Sequence, residues 1–348
     1  MSLTEKFRPT LKDVARQAGV SIATASRALA DNPAVAASTR ERIQQLASDL
    51  GYRANAQARA LRSSRSNTIG VIVPSLINHY FAAMVTEIQS TASKAGLATI
   101  ITNSNEDATT MSGSLEFLTS HGVDGIICVP NEECANQLED LQKQGMPVVL
   151  VDRELPGDST IPTATSNPQP GIAAAVELLA HNNALPIGYL SGPMDTSTGR
   201  ERLEDFKAAC ANSKIGEQLV FLGGYEQSVG FEGATKLLDQ GAKTLFAGDS
   251  MMTIGVIEAC HKAGLVIGKD VSVIGFDTHP LFALQPHPLT VIDQNVEQLA
   301  QRAVSILTEL IAGTVPSVTK TTIPTALIHR ESIINSTLRK EGHHHHHH

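Results

Sequence analysis

At 348 residues, with a formal net charge of −8 and 42% apolar side chains, the chain is too long for one compact core and has the composition of a globular protein with more than one domain. No stretch approaches the roughly 20 consecutive apolar residues of a membrane span, and the N-terminus carries no apolar run of the secretory type, so a cytoplasmic protein without membrane contact is expected. Four scattered cysteines, Cys128, Cys134, Cys210 and Cys260, form no C-x-x-C pair and have no histidine pattern beside them, which argues for buried free thiols over disulfides or a metal site. His343 to His348 reads as an affinity tag.

The net charge resolves into two opposite parts. Residues 1–66 hold 11 Lys and Arg against 5 Asp and Glu, a balance of +6, and the remainder carries −14. A phosphate backbone is attracted by the first part and repelled by the second, so a polyanion is expected to meet the N-terminal segment alone.

In chain order, Thr10 to Gly19 offers a cap residue, apolar positions at Leu11, Val14, Ala15 and Ala18, and a terminating glycine, which predicts a short amphipathic helix. A second helix restarts at once over Ser21 to Leu29 with Ser21 as its cap, and a third is predicted over Ser38 to Leu50, capped by Ser38 and ended by Gly51. Two short helices joined by a tight glycine-containing turn form a helix-turn-helix, whose second helix enters the major groove N-terminus first. The alanine-rich segment Asn55 to Leu61 has no face large enough to hold an isolated helix.

The string TLKDVARQAGVSIATASRALADNPAVAASTRERIQQLASDLGYRANAQARALRSSRSNTIGVIVP, from Thr10 to Pro74, resembles the headpiece, hinge and first core strand of the lactose/galactose-repressor family in order and spacing. Ala25 and Ala28 stand where that family usually has valine, Ala30 where it has asparagine, and Ala54 where it has proline. The resemblance implies that Ile22, Ala23 and Arg27 read bases, with Arg27 able to bond guanine O6 and N7 together. It implies that Ser21, Thr24, Ser26 and Arg42 contact phosphates, which set register. In the hinge, Asn55 and Leu61 match the family's DNA-contacting positions, Leu61 being the apolar wedge for the minor groove.

From Asn67 onward strands and helices alternate. Strands are predicted at Thr68–Val73, Ala98–Thr102 and Gly125–Val129, with helices from about His79 and Thr110 between them. The rhythm repeats after residue 167: strands Pro186–Leu190, Gln218–Gly223, Thr244–Ala247 and Ser272–Phe276, with helices beginning near Arg200, Gly230 and Met251. The expected fold class is α/β, two doubly wound parallel-sheet lobes with an all-α headpiece, and a ligand cleft at the carboxyl ends of the strands. This resembles the periplasmic-binding-protein core of the repressor family. The implied division is a headpiece over 1–53, a hinge over 54–66, an N-terminal lobe over 67–166 and 295–324, and a C-terminal lobe over 167–294 and 325–338.

Polar and aromatic residues at the predicted strand ends suit a sugar, whose hydroxyls need paired donors and acceptors and whose C–H faces need flat apolar contact. By similarity to ribose-binding members, the effector residues are Asn78, Tyr80, Phe81, Asp152, Arg153, Tyr225, Asp277 and Gln294, and Asp249 joins them from its place at a strand end. Arg202 fits the repressors' ligand position and Arg200 the transport proteins', so both stand. At Asp249-Ser250 the family's Asn-Asp is replaced, which adds a carboxylate to the cleft and disfavours a phosphorylated ligand.

The expectation is therefore a DNA-binding repressor controlled by ribose or a related pentose. A purine, nucleoside or hexose effector is the alternative, and a sugar-transport receptor the rival of a different class. No G-x-G-x-x-G, P-loop, G-x-S-x-G or metal-ligand spacing occurs, so neither catalysis nor a cofactor nor a metal is expected. His79, His121 and His279 have no nucleophile beside them. The tail Ser332 to Gly342 lacks a leucine heptad, so a homodimer on a palindromic operator is expected rather than a tetramer.

Overall fold

A computed structural model describes residues 9–52 and 65–335. The N-terminal unit holds three helices: α1 (Leu11–Ala18), α2 (Ile22–Leu29) and α3 (Ala37–Leu50). A reciprocal capping box starts α1, in which Asp13 N–H donates to Thr10 Oγ1 (3.2 Å) and Thr10 N–H to Asp13 Oδ2 (2.8 Å). Gly19 then ends the helix in the left-handed region at φ 68°. In α2, Ser21 Oγ accepts from the Thr24 amide at 3.0 Å. The third helix departs from expectation: it begins at Ala37 after Ala36, without a side-chain cap, and Ser38 lies inside its first turn. Its free amides lie at an exposed helix start, where water serves them. Val14, Ala18, Ala28, Val35, Ile43 and Ala47 form the small core of this unit.

The second unit carries two six-stranded sheets. The first has the order β11-β5-β4-β3-β1-β2, formed by β1 (Thr68–Val73), β2 (Ala98–Asn103), β3 (Gly125–Cys128), β4 (Val148–Val151), β5 (Thr163–Asn167) and β11 (Lys320–Pro324). Its ladders β1–β3, β3–β4, β4–β5 and β5–β11 are parallel. The second has the order β12-β10-β9-β8-β6-β7, formed by β6 (Ile187–Ser191), β7 (Leu219–Leu222), β8 (Thr244–Ala247), β9 (Ser272–Phe276), β10 (Thr290–Asp293) and β12 (Ala326–Ile328). Only β12 runs antiparallel, against β10, among the ladders of this sheet. Central strands such as β3, β4, β8 and β9 are buried along their whole length, as parallel strands covered by helices on both faces must be.

Each lobe has its own apolar core. In the first, helices His79–Lys94 and Val296–Ile311 lay Tyr80, Phe81, Met84, Ile88, Leu299, Ala303 and Leu307 on the sheet. In the second, Tyr189 stacks on Phe206 with ring centres 4.3 Å apart, and Phe246 meets both edge-on. On that lobe's other face, helices Gln227–Asp239 and Ser250–Lys262 touch backbone to backbone. A Cβ at Gly255 would lie 2.2 Å from the Gln227 carbonyl oxygen, and one at Gly230 would lie 2.5 Å from that of Met252, so neither site has room for a side chain.

The chain passes between the lobes three times: from β5 into helix Gln169–His181, from β10 into helix Val296–Ile311, and from β11 into β12. Thr325 Oγ1 ties two of the crossings together, accepting from Gly171 N–H (3.0 Å) and donating to the Asn167 carbonyl (2.8 Å). Near the crossing that leaves β10, Ser166 Oγ donates to Gln294 Oε1 at 2.7 Å. All four cysteines are free and buried. Among the described residues no helix is long and apolar enough to cross a membrane.

Candidate nucleic-acid interface and effector pocket

In the N-terminal unit, α2 buries Ala25 and Ala28 completely and turns Ile22, Ala23 and Arg27 outward, with Ile22 49% exposed. An apolar side chain, a methyl and a guanidinium thus share the free surface of one short helix, a combination suited to thymine methyls and a guanine edge. The two alanines at usual valine positions keep the inward side of α2 narrow. Ser21 and Thr24 stand at the helix start with their hydroxyls bonded to each other at 2.8 Å, and Ser26 is half-buried. Arg42, expected at a phosphate, is exposed, and its Nη1 donates to the Ala18 carbonyl at 3.0 Å at the C-terminus of α1. Asn55 and Leu61 lie outside the described residues.

The pocket of the second unit lies between its lobes, at the carboxyl ends of the strands. Asp152 follows β4 and Asp277 follows β9, and both take left-handed backbone angles, φ 72° and 73°. Asn105, Glu106 and Asn295, also after strands, do the same. Aspartate and asparagine tolerate this region better than other residues with a side chain, and such conformations collect where the surrounding structure enforces them for a purpose.

Every predicted effector residue except Arg200 lines this cavity. Most of its polar groups are hydrogen-bonded to one another or to neighbouring backbone. Tyr80 OH donates to Asp152 Oδ1 (2.8 Å), Gln294 Nε2 donates to Asp277 Oδ1 (2.6 Å), and Arg202 donates to the Gly248 carbonyl (2.7 Å) and to Gln294 Oε1 (3.2 Å). Arg153 donates to both oxygens of Glu106 at 2.8 and 2.7 Å. Asn78 Oδ1 accepts from the Tyr80 amide (3.0 Å) and, across the cleft, from Ser250 Oγ (3.2 Å). Flat faces complete the walls: Arg202 lies 4.1 Å above the Phe276 ring, and Arg153 lies 5.2 Å from Tyr225 and 6.0 Å from Phe81.

Burial dominates the electrostatics. It pushes the Asp277 carboxyl up to about 7 against the pull of Arg202 and the Gln294 amide, and Asp249 up to about 6 against the Met252 and Met251 amides. Asp152 is raised for the same reason, with Arg153 and Arg202 opposing. Asp249 also has a local duty, since its carboxylate caps helix Ser250–Lys262 through the amides of Met251 (3.2 Å) and Met252 (2.9 Å). An asparagine there would have only one acceptor oxygen for the two amides.

Arg200 is a correction. Helix Ser197–Asn212 begins three residues before the expected start, with Thr196 Oγ1 accepting from Gly199 N–H at 3.1 Å. Residues 200 and 202 are then two steps, about 200°, apart around the helix. Arg202 turns into the cleft and is buried, while Arg200 is exposed and pairs with Glu132 of the other lobe at 2.6 Å. Thr198 and Ser250 also line the pocket, and Thr198 bonds the Tyr225 hydroxyl. Sequence reasoning did not find these two, nor Ser166 and Glu106. The loop after β2 reaches the same end of the sheet as Asp152, so the strand-end rule points to Glu106; the hydroxyl residues carry no such signal.

Residues 10–55 match the family model of bacterial regulatory proteins of the lacI family, and residues 69–314 match the periplasmic binding protein domain. Catabolite control protein A of Priestia megaterium is 30% identical over 305 residues, 86% of this chain and 92% of its own. The ribose operon repressor of Escherichia coli (strain K12) is 29% identical over 304 residues, again 86% and 92%. Among solved structures, a probable LacI family transcriptional regulator from Corynebacterium glutamicum is 95% identical, spanning 77% of this chain and 100% of that one, with a TM-score of 0.73. The lac repressor dimer bound to operator and the anti-inducer ONPF is 26% identical, with 94% and 99% covered and a TM-score of 0.73.

Proposed function

The chain belongs to the lacI family of bacterial regulatory proteins, and on that premise we propose that it is a transcriptional repressor whose operator affinity is set by a pentose, D-ribose or a close relative, held between the lobes of its core. The residues before 54 act as the DNA-binding headpiece, 54–66 as the hinge, and the rest as the two effector lobes. A homodimer would present two headpieces to a palindromic operator, which a two-fold protein reads as two half-sites. Arg27, Ile22 and Ala23 would read bases, and Ser21, Thr24, Ser26, Asn55 and Leu61 would make the remaining DNA contacts.

One observation carries the effector reading. Asn78, Asp152, Arg153, Arg202, Asp277 and Gln294, drawn from both lobes, converge with Tyr80, Phe81 and Tyr225 on a single pocket. Buried donors and acceptors so arranged suit a small ring with several hydroxyls and reject ligands that leave them unpaired. Because the cavity is shared, a bound sugar bonds both lobes and favours one arrangement of them; linkage then makes sugar and operator each alter the affinity of the other.

Calorimetry with D-ribose, a hexose, a purine and a nucleoside tests the assignment on the wild type and on Arg153→Ala. Pentose binding that Arg153→Ala abolishes is the expected result. Binding of only a hexose, purine or nucleoside, or unchanged pentose affinity in the variant, refutes it. Operator titration with and without the bound ligand tests the coupling.

A further inference from the structure

Arg153 is a buried, permanently charged guanidinium in a cavity read here as a sugar site, and a bare arginine fork is also the protein group best matched to phosphate and carboxylate. Both of its forks already face carboxylates. The end-on edge donates through both terminal nitrogens to the two oxygens of Glu106, at 2.8 and 2.7 Å. The side-on edge turns Nε toward Asp152 Oδ2 at 3.7 Å, beyond hydrogen-bond distance, and Nε has no hydrogen-bond partner among the described residues. The end-on fork is filled and the side-on edge faces the Asp152 carboxyl, so a bidentate anion there would meet an acid group, while single N–H donors serve neutral hydroxyls.

Glu106 is held for this task. Its loop leaves β2 with Asn105 and Glu106 both in the left-handed region, at φ 56° and 58°. On one side the loop is anchored by Ser104 N–H donating to the Val73 carbonyl (2.9 Å). On the other, Asp107 accepts from the Thr110 amide (2.9 Å) at the start of helix Ala108–Ser120. Glu106 is 41% exposed at its side chain, whereas Arg153 is 6% exposed. The pair therefore stands as a partition. On its inner side is the pocket. On its outer side is an open cavity bordered by seven carboxylates, Glu106 and Glu132 among them, and one guanidinium, that of Arg153. Glu106, Glu132 and Glu154 are ion-paired, with Arg153, Arg200 and Lys320, and the other four carboxylates still present an entering anion with a field of its own sign.

We propose that Glu106 is the positioning residue that sets the charge selectivity of the effector pocket: by clamping Arg153 from outside it makes the pocket accept an uncharged polyhydroxy ligand and refuse the phosphorylated or carboxylated counterpart. The proposal rests on the reading of the cavity as an effector pocket, and it concerns the ligand's charge and not its ring.

Calorimetry with two matched pairs separates these points: D-ribose against D-ribose 5-phosphate, and D-glucose against D-glucose 6-phosphate, on the full chain as wild type, Glu106→Gln and Glu106→Asp. In the wild type the neutral member of the binding pair should be favoured by about a hundredfold or more. Glu106→Gln keeps the side chain's size and removes its charge, and should narrow that ratio by about tenfold or more. Glu106→Asp keeps the charge and should hold the ratio near the wild-type value. A merely structural role would weaken both members alike and leave the ratio unmoved, which overturns the proposal, as does wild-type binding of a phosphorylated sugar as tight as its neutral partner. Should Glu106→Gln fail to fold, as judged by its melting curve, the wild-type and Glu106→Asp ratios decide. A preference for glucose over its phosphate with no ribose binding ends the pentose assignment and leaves this one standing. No binding of any of the four ends both.

Discussion

The headpiece and the effector pocket place their recognition groups in opposite conditions. On α2 the groups offered to a partner, Ile22, Ala23 and Arg27, are exposed, and the fold is held by small apolar residues behind them. In the pocket nearly every polar group is buried and already bonded to another: Tyr80 to Asp152, Gln294 to Asp277, Arg202 to Gly248 and Gln294. Substitution of a headpiece reader should therefore cost recognition and little stability, whereas substitution of a pocket residue should cost both, because it strands a buried partner.

The sharpest test uses the two arginines two residues apart. Arg202→Ala removes a buried cation from between Asp152, Asp277 and Gln294 and should lower unfolding stability by about 3–5 kcal/mol, as breaking a buried charge network does. Arg200→Ala removes a pair whose side chains are 43% and 25% exposed and should change it by no more than about 1 kcal/mol. Denaturant titration of the two variants checks this, and equal losses would erase the distinction between them.

A pH series probes the same burial. Asp277 and Asp249 are raised to about 7 and about 6 from an ordinary value of 3.8, so the folded state holds protons that the unfolded chain has released. Their contribution to stability is fully present below about pH 4 and is lost as pH rises through 6 to 7. Asp277→Asn carries no such proton and should gain on the wild type by roughly 2–4 kcal/mol between pH 5 and pH 8. Parallel melting-temperature curves for the two proteins would contradict the assignment.

On the headpiece side, Arg27→Ala should cost about 1–3 kcal/mol of discrimination at one base pair per half-site, with binding to random DNA and thermal stability nearly unchanged. Competition between operator and single-base variants reads it; equal weakening on all sequences would make Arg27 a phosphate contact. The smallest effect is expected at Ser21→Ala, which removes the cap of α2 and should lower headpiece stability by about 1 kcal/mol.

The same contrast explains what could be read from the sequence. The headpiece was legible because its determinants are local: Thr10 with Asp13, Ser21 with Thr24, and Gly19 and Gly51 after their helices. The start of α3 misled because Ser38 has the chemistry of a cap without its position. The alternation of strands and helices gave both lobes. The pocket residues, spread from Asn78 to Gln294, came through strand ends and family resemblance, and the choice between Arg200 and Arg202 awaited the phase of helix Ser197–Asn212. Thr198, Ser166 and Ser250 escaped because a lone hydroxyl in a loop or first turn looks the same whether it faces solvent or a cavity.

The triple passage of the chain between the lobes has a mechanical consequence. Three short covalent links side by side resist sliding, since a shear would have to stretch peptide backbone, but they yield to a change in a few torsion angles near residues 167–169, 293–296 and 324–326. With Thr325 bolting two of the links together, the core has the compliance of a leaf hinge: soft about one axis and stiff about the others.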